Sequence, residues 1–83
     1  MTRYESGALA PADASADALY DLGIACASGR SAPADLVSAH KWFNLAAMKG
    51  VNEARKWRAQ ISSEMSAEEI AEAQRQARKW LAA

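Results

Sequence analysis

The chain has 83 residues, a length that accommodates a single domain. Ten basic and ten acidic residues give a formal net charge of zero, so the chain lacks the broad positive field of a general nucleic-acid or membrane binder. The charge is nevertheless uneven: acids outnumber bases over residues 1–48, and bases outnumber acids over residues 49–83.

Cysteine content and hydropathy exclude several further classes of protein. Cys26 is the only cysteine, so neither an internal disulfide nor a cysteine-based zinc site is possible. No run approaches the ~20 apolar residues that span a bilayer, and residues 1–15 lack the apolar core of a signal peptide. We therefore expect a cytoplasmic protein with no cofactor, no metal site and no membrane partner.

The first part of the chain combines small and polar residues with turn formers. We predict a flexible lead-in over residues 1–12 and one helical domain over residues 13–83. Acceptor side chains at 13–17 suit a helix start, and helical spacing of apolar residues continues to about Ser28. Gly29 can adopt the left-handed turn that ends such a helix.

A second helix is predicted from the acceptor Asp35, which caps it, to about Lys49. Gly50 is expected to terminate it. Its inner stripe at helical spacing comprises Leu36, Ala39, Phe43, Ala46 and Ala47.

Two more helices are predicted in the remaining third of the chain. Asn52 is a reasonable cap for a helix over about 53–64. The segment from Ser66 to Glu69 matches a capping box, which is a strong start signal for the fourth helix. Since no strand candidate is found, the predicted fold class is all-α with about four helices.

One short motif occurs three times and contains every tryptophan of the chain. Its copies are Ala39–Trp42, Ala54–Trp57 and Ala77–Trp80, each reading Ala-[His/Arg]-Lys-Trp. Residues three apart share a helix face, so each copy pairs a small residue with a large aromatic one on the same stripe. This repetition indicates helical repeats, which more often form binding scaffolds than enzymes.

A longer pattern resembles the Sel-one-like repeat, a relative of the tetratricopeptide repeats. The residues that carry the resemblance are Ala16, Ala18, Tyr20, Leu22, Gly23, Gly29, Pro33, Asp35, Ala39, Trp42, Phe43, Ala46, Ala47, Gly50 and Ala54. The resemblance implies antiparallel helical hairpins of the α-α superhelix type, with one full repeat over 16–51 and capping helices over 52–82. A second repeat begins but is not completed, because Arg58-Ala59 replaces the expected Leu-Gly pair.

The same resemblance implies a short bacterial single-repeat protein that acts as a non-enzymatic adaptor or scaffold. Its concave helical groove would bind a peptide or helix of another protein. The residues that we expect to contact this partner are Tyr20, Ile24, His40, Lys41 and Asn44, with Trp42 and Phe43 as supporting packing.

Catalytic chemistry finds no support in the sequence. His40 is the only histidine, and its expected place is a helix surface or the groove. Cys26 lies between two alanines and is interpreted as a small packed residue. No phosphate-binding glycine loop and no nucleophile motif is present, so we predict no catalytic residues and no enzyme.

An alternative function is a small nucleic-acid-associated regulator that uses the last two helices. Basic residues there interleave with tryptophans and could contact phosphates and stack on bases. They are Arg55, Lys56, Arg58, Arg75, Arg78 and Lys79, beside Trp57 and Trp80. We favour the simpler interpretation, in which the tryptophans are core residues and the basic side chains are solvated. Nucleic acid is therefore the less favoured partner.

A second copy of the chain is a further expected partner. The first hairpin has no preceding repeat to cover its outer face, so Leu19, Tyr20 and Ile24 are expected to be partly exposed. Such an apolar patch favours a weak homodimer.

Overall fold

A computed structural model describes residues 14–29 and 34–82. Within these ranges the chain forms four helices and no strand, which confirms the all-α fold class. The helices are α1 (Ala16–Ser28), α2 (Leu36–Met48), α3 (Asn52–Ser62) and α4 (Ala67–Ala82). The lead-in predicted over residues 1–12, together with Asp13 and Pro33, lies outside the described residues. No helix in the described part is long and apolar enough to cross a membrane.

Local side-chain caps start the first two helices where the sequence predicts them. The Ser15 hydroxyl accepts a hydrogen bond from the Ala18 amide at 3.1 Å. The Asp35 carboxylate accepts from both the amide and the hydroxyl of Ser38, at 3.0 and 2.8 Å. Gly29 ends α1 with φ of 69°, the left-handed conformation expected of it.

The third helix differs from its prediction at both ends. Val51 occupies the N-cap position without a side-chain hydrogen bond, and Asn52 is already the first helical residue. The helix ends at Ser62 and not near residue 64. There the backbone tightens into turns, in which the Glu64 amide donates to Ile61 and the Met65 amide donates to Ser62. These turns lead the chain into the start of α4.

The predicted capping box of α4 is present in full. The Glu69 amide donates to the Ser66 hydroxyl at 3.0 Å, and the Ser66 amide donates back to the Glu69 carboxylate at 2.8 Å. Two backbone donors that have no helical partner are thereby satisfied.

Helix α2 lies at the centre of the fold and packs against α1, α3 and α4. Its Trp42 and Phe43 side chains are fully buried. Helix α1 packs tightly against α2 at Gly23, where an added Cβ would lie 2.6 Å from two ring carbons of Phe43. Helices α2 and α3 form a second hairpin through the tight turn at Gly50, whose φ is 104°.

The three copies of the repeated motif divide between core and surface. All three of its alanines are buried: Ala39, Ala54 and Ala77. The tryptophans differ, since Trp42 is buried, Trp80 is half-buried and Trp57 is 37% exposed. The Trp80 ring meets the Trp42 ring edge-on at 6.0 Å between centroids. The expectation that every tryptophan is a core residue is therefore wrong for Trp57.

Candidate partner-binding site

Residues of the predicted groove lie mainly where α1, α2 and α3 meet. Tyr20 and Ile24 are half-buried on α1, and Asn44 is half-buried on α2. His40 and Lys41 are buried, with only 3% and 5% of their surface exposed. A helix-surface position for His40 is therefore wrong, because α2 has packed helices on more than one side.

Three aromatic rings from three helices form a layer at this junction. The Phe43 ring stacks on Trp57 with centroids 6.0 Å apart and planes 11° apart, and it meets the Tyr20 ring at 5.8 Å and 58°. The Trp57 indole N–H donates to the Tyr20 hydroxyl at 3.0 Å. The layer therefore fixes α3 to both helices of the first hairpin and holds the Trp57 ring in place.

A polar cluster joins α2 to α3. An Arg58 guanidinium N–H donates to the Asn44 side-chain oxygen at 2.6 Å. His40 lies one helical turn before Asn44 on α2, so the two share a face. The three side chains form what we call the 40–44–58 cluster, which consists of His40, Asn44 and Arg58.

Burial and charge both act on the His40 imidazole. Loss of hydration lowers the pKa of His40, and the neighbouring Arg58 guanidinium lowers it further. Both effects favour the neutral form of the ring. Its Nδ1 atom is buried and makes no hydrogen bond within the described part of the chain.

Lys41 lies apart from this cluster, because successive helical residues are ~100° apart around the axis. Its ammonium group lies 4.2 Å from the centroid of the Trp42 ring. Burial lowers the pKa of Lys41, while Cys26 and Asp35 act in the opposite direction. Burial also raises the pKa of the Cys26 thiol, which agrees with the interpretation of Cys26 as a packed residue. The structure thus separates Lys41 from the other predicted contact residues.

Tyr20 and Ile24 are partly exposed, as expected, but three other large apolar side chains among the described residues are more exposed. They are Met48 at 62% exposure, Leu81 at 50% and Trp57 at 37%. Leu19 is fully buried, which contradicts the expectation that it helps form an exposed patch. Of these side chains, Trp57 is the one that borders Tyr20, a residue of the predicted groove.

The basic residues of α3 and α4 are mostly exposed, as the solvated-face interpretation expects. Lys56 pairs with Glu53 at 3.3 Å, and Arg75 pairs with Glu72. Arg58 is the exception, since it is half-buried against Asn44.

In the sequence-based prediction, Trp57 and Arg58 of α3 belong to the nucleic-acid alternative and are not included in the partner-binding groove. They lie on opposite flanks of the buried stripe formed by Ala54 and Ile61, so they reach α1 and α2 respectively. Ala54 and Ile61 are spaced in the sequence so that they share one helix face, and this spacing predicts that residues 57 and 58 flank that face.

No group of metal-binding side chains occurs among residues 14–29 and 34–82. Comparisons with protein-family models, with curated proteins and with solved structures give no match for this chain. The site is therefore interpreted from its own geometry.

Proposed function

We propose that the protein is a non-enzymatic interaction adaptor of the Sel-one-like type. It binds a helix or extended segment of another protein on the face where α1, α2 and α3 meet. We call this the three-helix face and define it by Tyr20, Ile24, Asn44, Trp57 and Arg58.

The observation that carries the proposal is that the Trp57 side chain is held in place and yet partly exposed. Its ring is stacked on Phe43 and hydrogen-bonded to Tyr20, yet 37% of the residue remains exposed. An aromatic side chain that is fixed before binding loses little entropy when a partner covers it. Tryptophan, tyrosine and arginine are also the residues that most often dominate binding energy at protein interfaces. All three occur together on the three-helix face.

The test is capture of partners from native cell extract with the whole chain as bait. Trp57→Ala is expected to abolish capture. Leu81→Ala is the matched control, because it removes an exposed apolar side chain from a different helix and should leave capture unchanged. Circular dichroism of both variants establishes that the helices persist. Equal capture by Trp57→Ala and the parent chain would contradict the proposal.

Replacing the exposed basic residues of α3 and α4 with glutamine separates the adaptor function from the nucleic-acid alternative. If the adaptor function is right, this replacement should not affect protein capture. These residues are Arg55, Lys56, Arg78 and Lys79. Salt-dependent binding of the parent chain to a random oligonucleotide, lost in this variant, would favour the alternative.

A further inference from the structure

The exposed surface of Trp57 can be located from its contacts. One side of the ring stacks on Phe43 with planes 11° apart, and the indole N–H is bonded to the Tyr20 hydroxyl. The 37% of the residue that remains exposed therefore lies mainly on the ring side opposite Phe43. The open side of an aromatic ring attracts cations, because its π electrons place negative charge there.

Acidic side chains lie beside this ring on both helices that border it. Glu53 lies one helical turn before Trp57 on α3, and its side chain is 64% exposed. On α1, Asp17 lies one turn before Tyr20, and Asp21 follows Tyr20 directly; both are exposed. Helix α1 contains no basic residue. We call Asp17, Asp21 and Glu53 the acidic rim.

The basic residues of α3 offset only part of this charge. Lys56 pairs with Glu53 at 3.3 Å, so it offsets one of the three rim carboxylates. Arg55 and Arg58 lie ~160° and ~100° around the helix from Trp57, and Arg58 is bonded to Asn44 of α2. The side of the three-helix face toward α1 therefore carries a net negative charge.

The other two strongly exposed apolar side chains have basic neighbours. Leu81 lies one turn after Arg78, and Met48 is followed by Lys49. Among the described residues, Trp57 is therefore the strongly exposed apolar side chain that combines a fixed aromatic ring with an acidic rim. This combination favours a partner that is both apolar and positively charged.

We propose that the three-helix face binds a basic segment of the partner protein, with a lysine or arginine side chain on the open side of the Trp57 ring and the acidic rim around its charge. This inference rests on the proposed adaptor function. Tryptophan is the best aromatic partner for a cation, and arginine can also donate to carboxylates while it stacks on a ring. An apolar residue of the same segment covers Ile24, which is half-buried one turn after Tyr20.

The first experiment selects peptides on the whole chain from a displayed helical library. Selected peptides should carry more lysine and arginine than the unselected library, together with apolar residues. Conversion of the selected basic residue to glutamine should weaken binding about three- to tenfold. Enrichment of acidic peptides in place of basic ones would overturn the proposal.

The second experiment compares two variants that lose the same charge. Asp17→Asn with Asp21→Asn removes two carboxylates of the acidic rim, whereas Glu64→Gln with Glu68→Gln removes two exposed carboxylates elsewhere. The first variant should bind a selected basic peptide about three- to tenfold more weakly, and the second should bind it like the parent chain. Raising sodium chloride from about 0.05 to about 0.5 M should reduce the difference, because salt screens exposed charges. Circular dichroism establishes that the helices persist in both. Equal weakening by the two variants would overturn the proposal.

Three further outcomes separate this inference from the proposed function. If Trp57→Ala abolishes binding, but neither the basic residues of the peptides nor the rim aspartates matter, the adaptor function stands and the basic segment is wrong. If Trp57→Ala has no effect, the proposed function itself is wrong. Self-association of the parent chain in sedimentation, lost in Trp57→Ala, would make a second copy the occupant and overturn the choice of a partner protein.

Discussion

Replacing Gly23 with alanine tests the contact on which the α1–α2 hairpin depends. The added Cβ would lie 2.6 Å from Cδ1 and Cε1 of Phe43, well inside normal van der Waals contact. The Phe43 ring has little room to withdraw, because it packs against Tyr20 and is stacked on Trp57. Either the ring must shift and disturb the aromatic layer, or α1 must move away from α2.

Two effects of opposite sign determine the change in stability. Alanine is favoured over glycine in a helix interior by about 1 kcal/mol. Overpacking a filled core costs about 1–3 kcal/mol. We expect the second effect to win, so that Gly23→Ala lowers the free energy of unfolding by about 1 kcal/mol. A domain of this size has a total stability of about 4–12 kcal/mol, so the variant should still fold.

The assay is urea unfolding followed by circular dichroism and tryptophan fluorescence, with the midpoint and slope compared between variants. Ala25→Gly is the matched control, since Ala25 is exposed on the same helix and reports the propensity effect alone. In a Phe43→Leu background the smaller side chain leaves space, so Gly23→Ala should cost less or become stabilising. Stabilisation by Gly23→Ala in the parent chain would refute the tight contact.

Ser66→Ala should lower stability by about 1 kcal/mol and speed amide exchange over residues 67–70, because the Glu69 amide loses its cap; unchanged exchange would contradict the capping assignment. Trp57→Phe keeps an aromatic ring but loses the hydrogen bond to Tyr20, so the free energy of unfolding should fall by about 0.5–1.5 kcal/mol. Adding Tyr20→Phe to this variant should cause little further loss, because the hydrogen bond is already absent. Because the His40 pKa is lowered in the folded state, unfolding takes up a proton, and stability should fall as pH decreases below about 6.5. In His40→Gln that slope between pH 6.5 and 5 should disappear in urea titrations, and a persisting slope would show that another group is responsible.

The helices could be predicted because their starts and ends are set by residues close in sequence. Asp35 bonds to Ser38, and Ser66 exchanges two hydrogen bonds with Glu69, all across three residues. Such contacts can be recognised without knowing the rest of the fold. The end of α3 was the weakest prediction, since the turns at residues 62–65 carry no glycine or proline.

Burial on α2 could not be predicted in the same way. An amphipathic pattern identifies one apolar stripe, which suits a helix with neighbours on one side. Helix α2 has three helical neighbours, and eight of its thirteen residues are buried, among them His40 and Lys41. A buried histidine or lysine looks the same in sequence as an exposed one. Its environment depends on helices that arrive from elsewhere in the chain.

The three-helix face depends on α3, because both Trp57 and Arg58 belong to this helix. A leucine at position 58 could not donate to Asn44 or place a charge beside His40. Arginine at this position does both. Trp57, its neighbour, closes the aromatic layer through a hydrogen bond to Tyr20, 37 residues away in sequence. Arg58 and Trp57 of α3 therefore supply the polar chemistry of the face, and the buried Phe43 ring on which Trp57 stacks supplies its apolar support.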